Sequence, residues 1–403
     1  MSEKNKRDVV VVATARTPFG KFGGGLKSLT APQLGGLAIA EVLKRAGIKG
    51  DIVDEVIYGT VIAAGQGQVP ARQASENGGI PCEVPCLTIN KVCGSALKAV
   101  TLGAQLIKLG DADVIVAGGM ESMSNAPYLS RDTRWGGRMF DKKLVDSMVH
   151  DGLWCPQYDV HMAVHGGKVA LEYGVSREMQ DKFAERSQKR WAKAEADHFF
   201  DEERFPVEVK GKKGKVSIVD KDEAPRPETT FEVLQTLPPI FDKNNTVTAG
   251  NAPGTNDGAS AVVIMSREKA EALGAPIQAV IKDYSQAARD AQYIATVPGL
   301  AIKKILEKNN LTLDYFDLIE INEAFAAVPL VSSLGILKMT PEEVDAKVNV
   351  NGGAVAVGHP IGATGARILM TLINELRREG KKTGICAICS GMAQGDACWI
   401  ELE

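Results

Sequence analysis

Two kinds of hydrophobic pattern recur along this chain. Apolar residues at i, i+3 and i+4 predict amphipathic helices, and short apolar runs between turn residues predict strands. A helix pattern followed by a short strand begins at Gly36, in GLAIAEVLKRAGIKGDIVDEV, and another begins at Gly299, in GLAIKKILEKNNLTLDYFDLI. The two segments align without a gap, and Asp54 in the first corresponds to Asp317 in the second. This similarity indicates an internal repeat.

A second repeated pattern follows each of these segments. After Asn90 come a glycine-containing turn, a helix pattern and the strand VIVAGGM, which ends at Met120. After Asn351 come the longer loop GGAVAVGHPIGATG, a helix pattern and the strand CAICSGM, which ends at Met392. Two repeats in the same order predict a duplicated α/β fold, with mostly parallel sheets covered by helices.

The segment between the two repeats has a different composition. Residues 121–249 are rich in charge and in irregular runs, and helix patterns occupy residues 164–197. Such an insertion is expected to supply substrate or subunit contacts. We therefore predict an N-terminal half formed by residues 1–120 and 250–275, a loop domain at 121–249, and a C-terminal half at 276–403.

Composition narrows the class of protein. The 403 residues are 44% hydrophobic and 24% charged, as in a soluble globular protein, and the net charge is −3. A charge so near zero gives no reason to expect nucleic-acid binding or attraction to anionic membranes. The N-terminus MSEKNKRD lacks an apolar signal region, and we expect no stretch to reach the ~18 apolar residues of a membrane span.

The seven cysteines are expected to be reduced, in a cytoplasmic compartment. No Cys/His spacing matches a metal site, so none is predicted. Cys386 and Cys389 form a C-x-x-C, but the alternation in GICAICSG predicts a strand, whereas the redox motif opens a helix.

Cys93 lies in INKVCGSALKAV, where a strand pattern ends and a helix pattern over 94–109 begins, with Gly110 as its stop. The N-terminal end of a helix is expected to lower a nearby thiol pKa and so favour a nucleophile. A buried cysteine that acts only as a small hydrophobic residue is the alternative.

A nucleophilic thiol needs a base and groups that stabilise an oxyanion. His359, the only histidine of the second repeat, lies among glycines that allow close backbone approach to a ligand. Asn322 follows the repeated strand, where it is a candidate site residue or simply a helix N-cap. Cys389 ends a strand, where proton transfer or plain burial would explain it. The glycine-rich loop lacks the Gly-Lys-Ser/Thr ending of a phosphate-binding loop.

Six ordered motifs identify a resemblance that covers essentially the whole chain. They are NKVCGSALKAV, GGMESMSNAP, TAGNAPGTNDGASAVV, INEAFA, NVNGGAVAVGHPIGATGARIL and CSGMAQG. Together they resemble the thiolases. The resemblance implies a thiolase fold with five layers, α-β-α-β-α, in which two buried helices lie between two mixed sheets.

The resemblance also implies roles for individual residues. Cys93 would be acylated, His359 would be its base, and Cys389 would transfer the proton at the substrate methyl group. Asn322 would help His359 to stabilise the enolate oxygen through a water molecule. The N–H groups of Cys93 and Gly391 would form a second oxyanion hole. The implied activity is that of an acetyl-CoA C-acetyltransferase, which condenses two acetyl-CoA to acetoacetyl-CoA and CoA.

Coenzyme A would then be substrate and product, with no cofactor and no metal. The implied partners are acetyl-CoA, acetoacetyl-CoA, CoA and further copies of the chain in a homotetramer built through SRDTRWGGRMFDKK, with neither nucleic acid nor membrane. The residues at the family's CoA-contact positions are Leu153, His161, Met162, Arg226, Phe241, Ala252, Ala324 and Phe325.

The chain departs from the family pattern at several positions. Pro253 stands where a serine is frequent, Ala96 where glycine is usual, and Ser390, Met392 and Ala393 alter the common C-x-G-G-G, while TVPGLA at 296–301 replaces GxGP. A thiolase of broader chain length, a decarboxylating β-ketoacyl synthase and a non-catalytic CoA or lipid carrier are the alternatives. The reaction direction and the acyl chain length stay open.

Overall fold

Strands and helices alternate along most of the chain. The computed structural model describes residues 5–211 and 214–403. The strands are β1 (Val9–Arg16), β2 (Gly20–Lys21), β3 (Glu55–Gly59), β4 (Cys86–Ile89), β5 (Val114–Ser122), β6 (Tyr128–Leu129), β7 (Val145–Asp146), β8 (Trp154–Cys155), β9 (Val160–His161), β10 (Val207–Lys210), β11 (Val216–Val219), β12 (Asn256–Ser266), β13 (Ala279–Ala288), β14 (Leu318–Ile321), β15 (Thr383–Ser390) and β16 (Gln394–Glu401).

The α-helices follow the predicted periodicity, and those at 95–109 and within 162–196 match the sequence-based expectation. They are α1 (Ala31–Ala46), α2 (Pro70–Asn77), α3 (Ser95–Leu109), α4 (Met162–Glu172), α5 (Arg177–Ala196), α6 (Phe231–Gln235), α7 (Arg267–Leu273), α8 (Val297–Asn309), α9 (Ala327–Leu330), α10 (Pro341–Lys347), α11 (Ala354–Val357) and α12 (Thr364–Glu379). π-helical turns occur at Met148–Leu153 and Val331–Ile336.

The central sheet has the order β14-β15-β16-β13-β1-β12-β5-β3-β4, with β2 beside β12. Only β3–β4, β3–β5 and β14–β15 are parallel neighbours in it; the other ladders are antiparallel. The prediction of mostly parallel sheets is therefore wrong, whereas the mixed sheets implied by the resemblance are confirmed. Strands β15 and β16 are antiparallel because the turn between them, residues 391–393, is too short for the crossover that a parallel pair requires.

The repeat has a physical basis in two aspartates. Asp54 accepts hydrogen bonds from the N–H groups of Asp113 and Val114, both at 2.8 Å, at the start of β5. Asp317 accepts from Lys382 and Thr383 N–H, at 3.0 and 2.9 Å, at the start of β15. Each aspartate thus fixes the start of a neighbouring strand in its own half, so the sequence repeat reflects a structural repeat.

Five layers are present, as expected. One core packs α1 and α2 on the half-sheet of β1, β12, β5, β3 and β4. A second core encloses α3 and α12 between the two half-sheets, and a third packs α8 on the half-sheet of β13 to β16. Gly365 of α12 lies so close to Leu97 of α3 that an added Cβ would overlap its backbone. The half-sheets are continuous through a short ladder of Val9–Val11 with Ala279–Ile281.

Helix α3 is also apolar enough to be confused with a membrane span. Among the residues that the structure describes, Val92–Leu109 has the length and the mean hydropathy, 1.2, of a membrane-crossing helix. The expectation that no stretch would reach this length is therefore wrong. In the fold, 61% of the segment is buried, and it packs against α12 and both half-sheets, which explains its apolar composition.

Candidate active site

One cavity of about 750 Å³ brings together residues from both halves and from the inserted segment. Cys93 of the first half and His359 of the second half both line it. The predicted CoA-contact residues line the same cavity: Leu153, His161, Met162, Arg226, Phe241, Ala252, Ala324 and Phe325. Residues far apart in the sequence thus converge on one space that is large enough for a small-molecule substrate.

The turn before α3 places Cys93 at the cavity wall. Val92 has φ +45°, a left-handed conformation that is strained for a β-branched residue. The hydroxyl of Ser95 accepts a hydrogen bond from Lys91 N–H at 2.8 Å and donates one to Val92 C=O at 2.7 Å. Strain of this kind is typical of functional sites, where surrounding contacts hold an unfavourable backbone conformation.

The thiol of Cys93 is not activated in the way the sequence suggested. Burial raises its pKa to about 12, while its own backbone N–H lowers the pKa and the carboxyl of Glu121 raises it. The expectation of a lowered pKa is therefore wrong, because desolvation of the thiolate outweighs the helix terminus. The thiol is protonated near neutral pH, so a nucleophilic role requires a base.

His359 has the geometry of such a base. Its Nδ1 lies 2.7 Å from the hydroxyl of Thr364, and that hydroxyl donates its single proton to Pro360 C=O at 3.0 Å. The hydroxyl can then only accept from the imidazole, so Nδ1 carries the proton and Nε2 has a free lone pair. Asn256 fixes the loop further by accepting the His359 N–H at 2.9 Å.

The Nε2 atom of His359 is buried and has no hydrogen-bond partner among the residues described. Burial, together with the smaller effect of the positive charge of Arg367, lowers the His359 pKa to about 3. The imidazole is therefore neutral at any ordinary pH, with its unprotonated nitrogen available for a ligand or for the thiol proton.

Asn322 directly follows β14 and is fully buried. Its N–H donates to Ala387 C=O at 2.9 Å, while within the described chain neither atom of its amide group has a partner. The N-cap alternative is wrong, because α9 begins only at Ala327 with Ala326 as its cap. A buried amide without a partner is costly, and such a group is characteristic of a binding site.

Cys389 lies near the end of β15, and Gly391 lies in the turn that joins β15 to β16 in a hairpin beside the Cys93 turn. Cys389 is fully buried, and burial together with the neighbouring Cys93 raises its pKa well above the usual range. A Cβ on Gly391 would approach Val92 to 2.9 Å and Met162 to 3.3 Å. Cys389, Gly391 and Asn322 do not line the cavity surface itself.

Two family models match the chain over most of its length. The model described as the thiolase N-terminal domain matches residues 9–268, and the thiolase C-terminal domain matches residues 275–402. The chain belongs to the thiolase family.

Similar proteins share nearly the full length of this thiolase. It is 48% identical over 394 residues to the acetyl-CoA acetyltransferase of Cupriavidus necator, covering 98% of this chain and 99% of that protein. It is 48% identical over 391 residues to the acetyl-CoA acetyltransferase of Pseudomonas aeruginosa, covering 97% and 98%. The crystal structure of the Bacillus anthracis acetyl-CoA acetyltransferase superimposes with a TM-score of 0.93 at 40% identity, covering 98% of both chains.

Glu121 is a buried residue of this thiolase that supports the loops around the cavity without lining it, and no motif in the sequence predicted that role. Its buried carboxylate accepts from Val61 N–H and Gly362 N–H, both at 3.0 Å, and from Ile62 N–H at 3.1 Å. It therefore joins the loop after β3 to the loop after His359, across the two halves. Its position in GGMESM at the end of β5 was the available signal. Burial raises its pKa to about 7 in spite of these donors.

His161 and Phe241 form the other prominent feature of the cavity in this thiolase. Their rings stack with centroids 3.8 Å apart, and His161 Nδ1 accepts from Ala163 N–H at 3.1 Å as the N-cap of α4. Burial lowers the His161 pKa to about 4, so the ring is neutral near pH 7. Phe241 is 62% exposed with φ +64°, which places a flat apolar surface at the cavity mouth.

Proposed function

We propose that this chain is an acetyl-CoA C-acetyltransferase, which reversibly converts two acetyl-CoA to acetoacetyl-CoA and CoA through an acetyl-cysteine intermediate. The single observation that supports this most strongly is the shared cavity of Cys93 and His359, with the His359 Nε2 unprotonated. Relatives that cover almost the whole chain bear the acetyl-CoA acetyltransferase name.

In the first half-reaction, the Cys93 sulfur attacks the thioester carbonyl of acetyl-CoA, and its proton moves to His359 Nε2. The raised thiol pKa makes this transfer necessary, and the low imidazole pKa makes the resulting imidazolium a strong acid. That acid can return the proton to the departing CoA thiolate, so the same residue serves both directions. The enzyme is left with an acetyl thioester on Cys93.

In the second half-reaction, a methyl proton leaves the second acetyl-CoA, and the carbanion attacks the acetyl group on Cys93. We assign that proton transfer to Cys389, which lies near enough to Cys93 for the Cys93 thiolate to raise the Cys389 pKa, after the larger effect of burial. We assign stabilisation of the enolate oxygen to His359 Nε2 and, through a water molecule, to the unpartnered amide of Asn322, which lies behind the cavity surface. The N–H groups of Cys93 and Gly391 are proposed for the other oxyanion.

We extend the proposal to the cofactor requirement, the assembly and the compartment of the enzyme. We propose that it needs no cofactor or metal, because the chain supplies the nucleophile, the base and the oxyanion donors. A cytoplasmic homotetramer that acts in fatty acid metabolism is part of the same proposal. The exposed apolar side chains between β6 and β7 support self-association: Trp135, Met139, Phe140 and Leu144.

Cleavage of acetoacetyl-CoA by CoA tests this function. The reaction is monitored through the decrease in the enolate absorbance of the substrate. We expect turnover by the wild-type chain, loss of turnover in Cys93→Ser, and normal turnover in Cys82→Ser, whose thiol is exposed. Absence of wild-type turnover would refute the proposal. Efficient cleavage of long 3-ketoacyl-CoA in a chain-length series would favour the broader degradative thiolase instead.

A further inference from the structure

A buried polar cluster lies directly behind the Cys93 turn. The hydroxyl of Ser390, the last residue of β15, accepts a hydrogen bond from Gly94 N–H at 3.0 Å. The same hydroxyl donates to Lys91 C=O. One side chain of the Cys389 hairpin thus bonds to both sides of the turn that contains Cys93.

An ion pair makes a second link between the same two segments. Lys91 Nζ lies 2.8 Å from the carboxylate of Asp396, which belongs to β16. Only 13% of the lysine side chain and 1% of the aspartate side chain are exposed. In the ladder, Asp396 pairs with Ile388, next to the pair of Cys389 with Gly395. We call Lys91, Ser390 and Asp396 the turn clamp.

The clamp leaves little room for the turn to move. A Cβ added to Gly94 would lie 2.9 Å from an Asp396 carboxylate oxygen and 3.1 Å from the Ser390 hydroxyl. Removal of the charged partner from a buried ion pair is strongly destabilising, because the remaining charge is uncompensated. These contacts therefore hold the turn firmly against the hairpin.

The backbone strain of the turn explains why such restraint is needed. Val92, between Lys91 and Cys93, has φ +45°. A β-branched residue keeps that conformation only where surrounding contacts over-determine it. The clamp bonds to Lys91 on one side of Val92 and to Gly94 on the other, which is the arrangement required to maintain the strained geometry.

We propose that the turn clamp is a positioning device that fixes the Cys93 sulfur relative to Cys389 and His359. This inference rests on the proposed function, in which Cys93 gives its proton to His359 and receives the acetyl group, and Cys389 removes the methyl proton of the second substrate. Ser390, Lys91 and Asp396 touch no reacting atom in this reaction. They act through the backbone of residues 91–94. If the Cys93 sulfur were displaced by up to about one ångström, acetyl transfer would become slower.

Ser390→Ala in the full chain is the primary test, because loss of one hydroxyl leaves no buried charge unpaired. We expect kcat for acetoacetyl-CoA thiolysis to fall about tenfold, as for loss of one buried hydrogen bond, with KM changed by less than about twofold. Ser390→Thr retains the hydroxyl and should recover most of kcat. Ser333→Ala is the matched control, since that buried hydroxyl has no partner in the part of the chain described.

A second measurement does not depend on activity. Amide hydrogen exchange of the peptide containing residues 91–95 should accelerate about tenfold in Ser390→Ala, and stay unchanged in Ser333→Ala. Wild-type kcat together with unchanged exchange in Ser390→Ala would overturn the inference. So would a lowered kcat that Ser390→Thr fails to recover. If the wild-type chain shows no turnover, the proposed function fails, and the exchange measurement alone decides whether the clamp restrains the turn.

Discussion

Replacement of Thr364 by valine tests the assignment of His359 as the base. The Thr364 hydroxyl accepts the His359 Nδ1 proton at 2.7 Å and donates its own proton to Pro360 C=O at 3.0 Å. Valine has a similar shape but can neither accept nor donate. The variant therefore leaves the buried Nδ1–H without an acceptor and removes the contact that keeps Nε2 unprotonated.

The size of the effect follows from burial. Thr364 is fully buried and His359 is 6% exposed, so water cannot readily replace the missing acceptor. A buried donor left without a partner costs about 1–3 kcal/mol. The active tautomer carries the proton on Nδ1, and the competing tautomer carries it on Nε2. If the active tautomer loses about 1–3 kcal/mol relative to the other, kcat falls by about 5- to 150-fold, because each 1.36 kcal/mol corresponds to a factor of about ten.

The assay is acetoacetyl-CoA thiolysis under saturating substrate, with urea unfolding measured on the same preparations. Thr364→Ser is the matched control, because it keeps the hydroxyl and removes only a methyl group. We expect the serine variant to retain most of kcat while the valine variant loses it at nearly unchanged KM. A folded Thr364→Val with kcat within about twofold of wild type would refute the tautomer argument.

The His359 pKa of about 3 lies below the ordinary 6.5, so the unfolded chain binds more protons between these values and stability falls as the pH falls. Between pH 6.5 and pH 3, the free energy of unfolding should therefore fall less steeply in His359→Asn than in the wild type, by about 1.4 kcal/mol per pH unit. Urea unfolding at several pH values measures this slope. An unchanged slope would contradict the buried neutral imidazole. Met392 is 39% exposed at φ +59°, so Met392→Gly should raise the free energy of unfolding by about 0.5–1 kcal/mol and Met392→Ala should not. A lower stability of the glycine variant would contradict the strain argument. Gly119→Ala would force a Cβ into the Gly362 carbonyl oxygen near His359. We therefore expect kcat to fall and the free energy of unfolding to decrease by about 1–3 kcal/mol. Gly137→Ala is the control and should change neither, because the nearest atom to its added Cβ lies 4.0 Å away. Normal kinetics and stability in Gly119→Ala would show that the loop can shift freely.

Much of the fold could be predicted because the repeat has a local physical cause. Asp54 and Asp317 each fix the start of a strand next to their own, so identical residues at equivalent places report identical local structure. The helix at Cys93 was also predictable, since its apolar stripe and the left-handed Gly110 stop are local signals. The same reasoning located Cys93 and His359 on turns that the duplicated fold brings together.

The remaining features depend on contacts that are distant in sequence. The Cys93 pKa is set by burial, which no neighbouring residue in the sequence reveals. Likewise, the bonds of Glu121 to Val61 and Gly362 exist only because β5 ends between two loops from different halves. The proportion of antiparallel pairs was missed because β12 returns between β1 and β5 after the long inserted segment.

We expect Cys93 to be the residue that receives the acetyl group. Brief incubation of the full chain with acetyl-CoA, followed by acid quenching and peptide mass spectrometry, tests this claim directly. We expect one acetyl group on the peptide that contains Cys93, and markedly slower acetylation in His359→Asn. Acetylation at Cys389 in place of Cys93, or a normal rate of acetylation in His359→Asn, would contradict it.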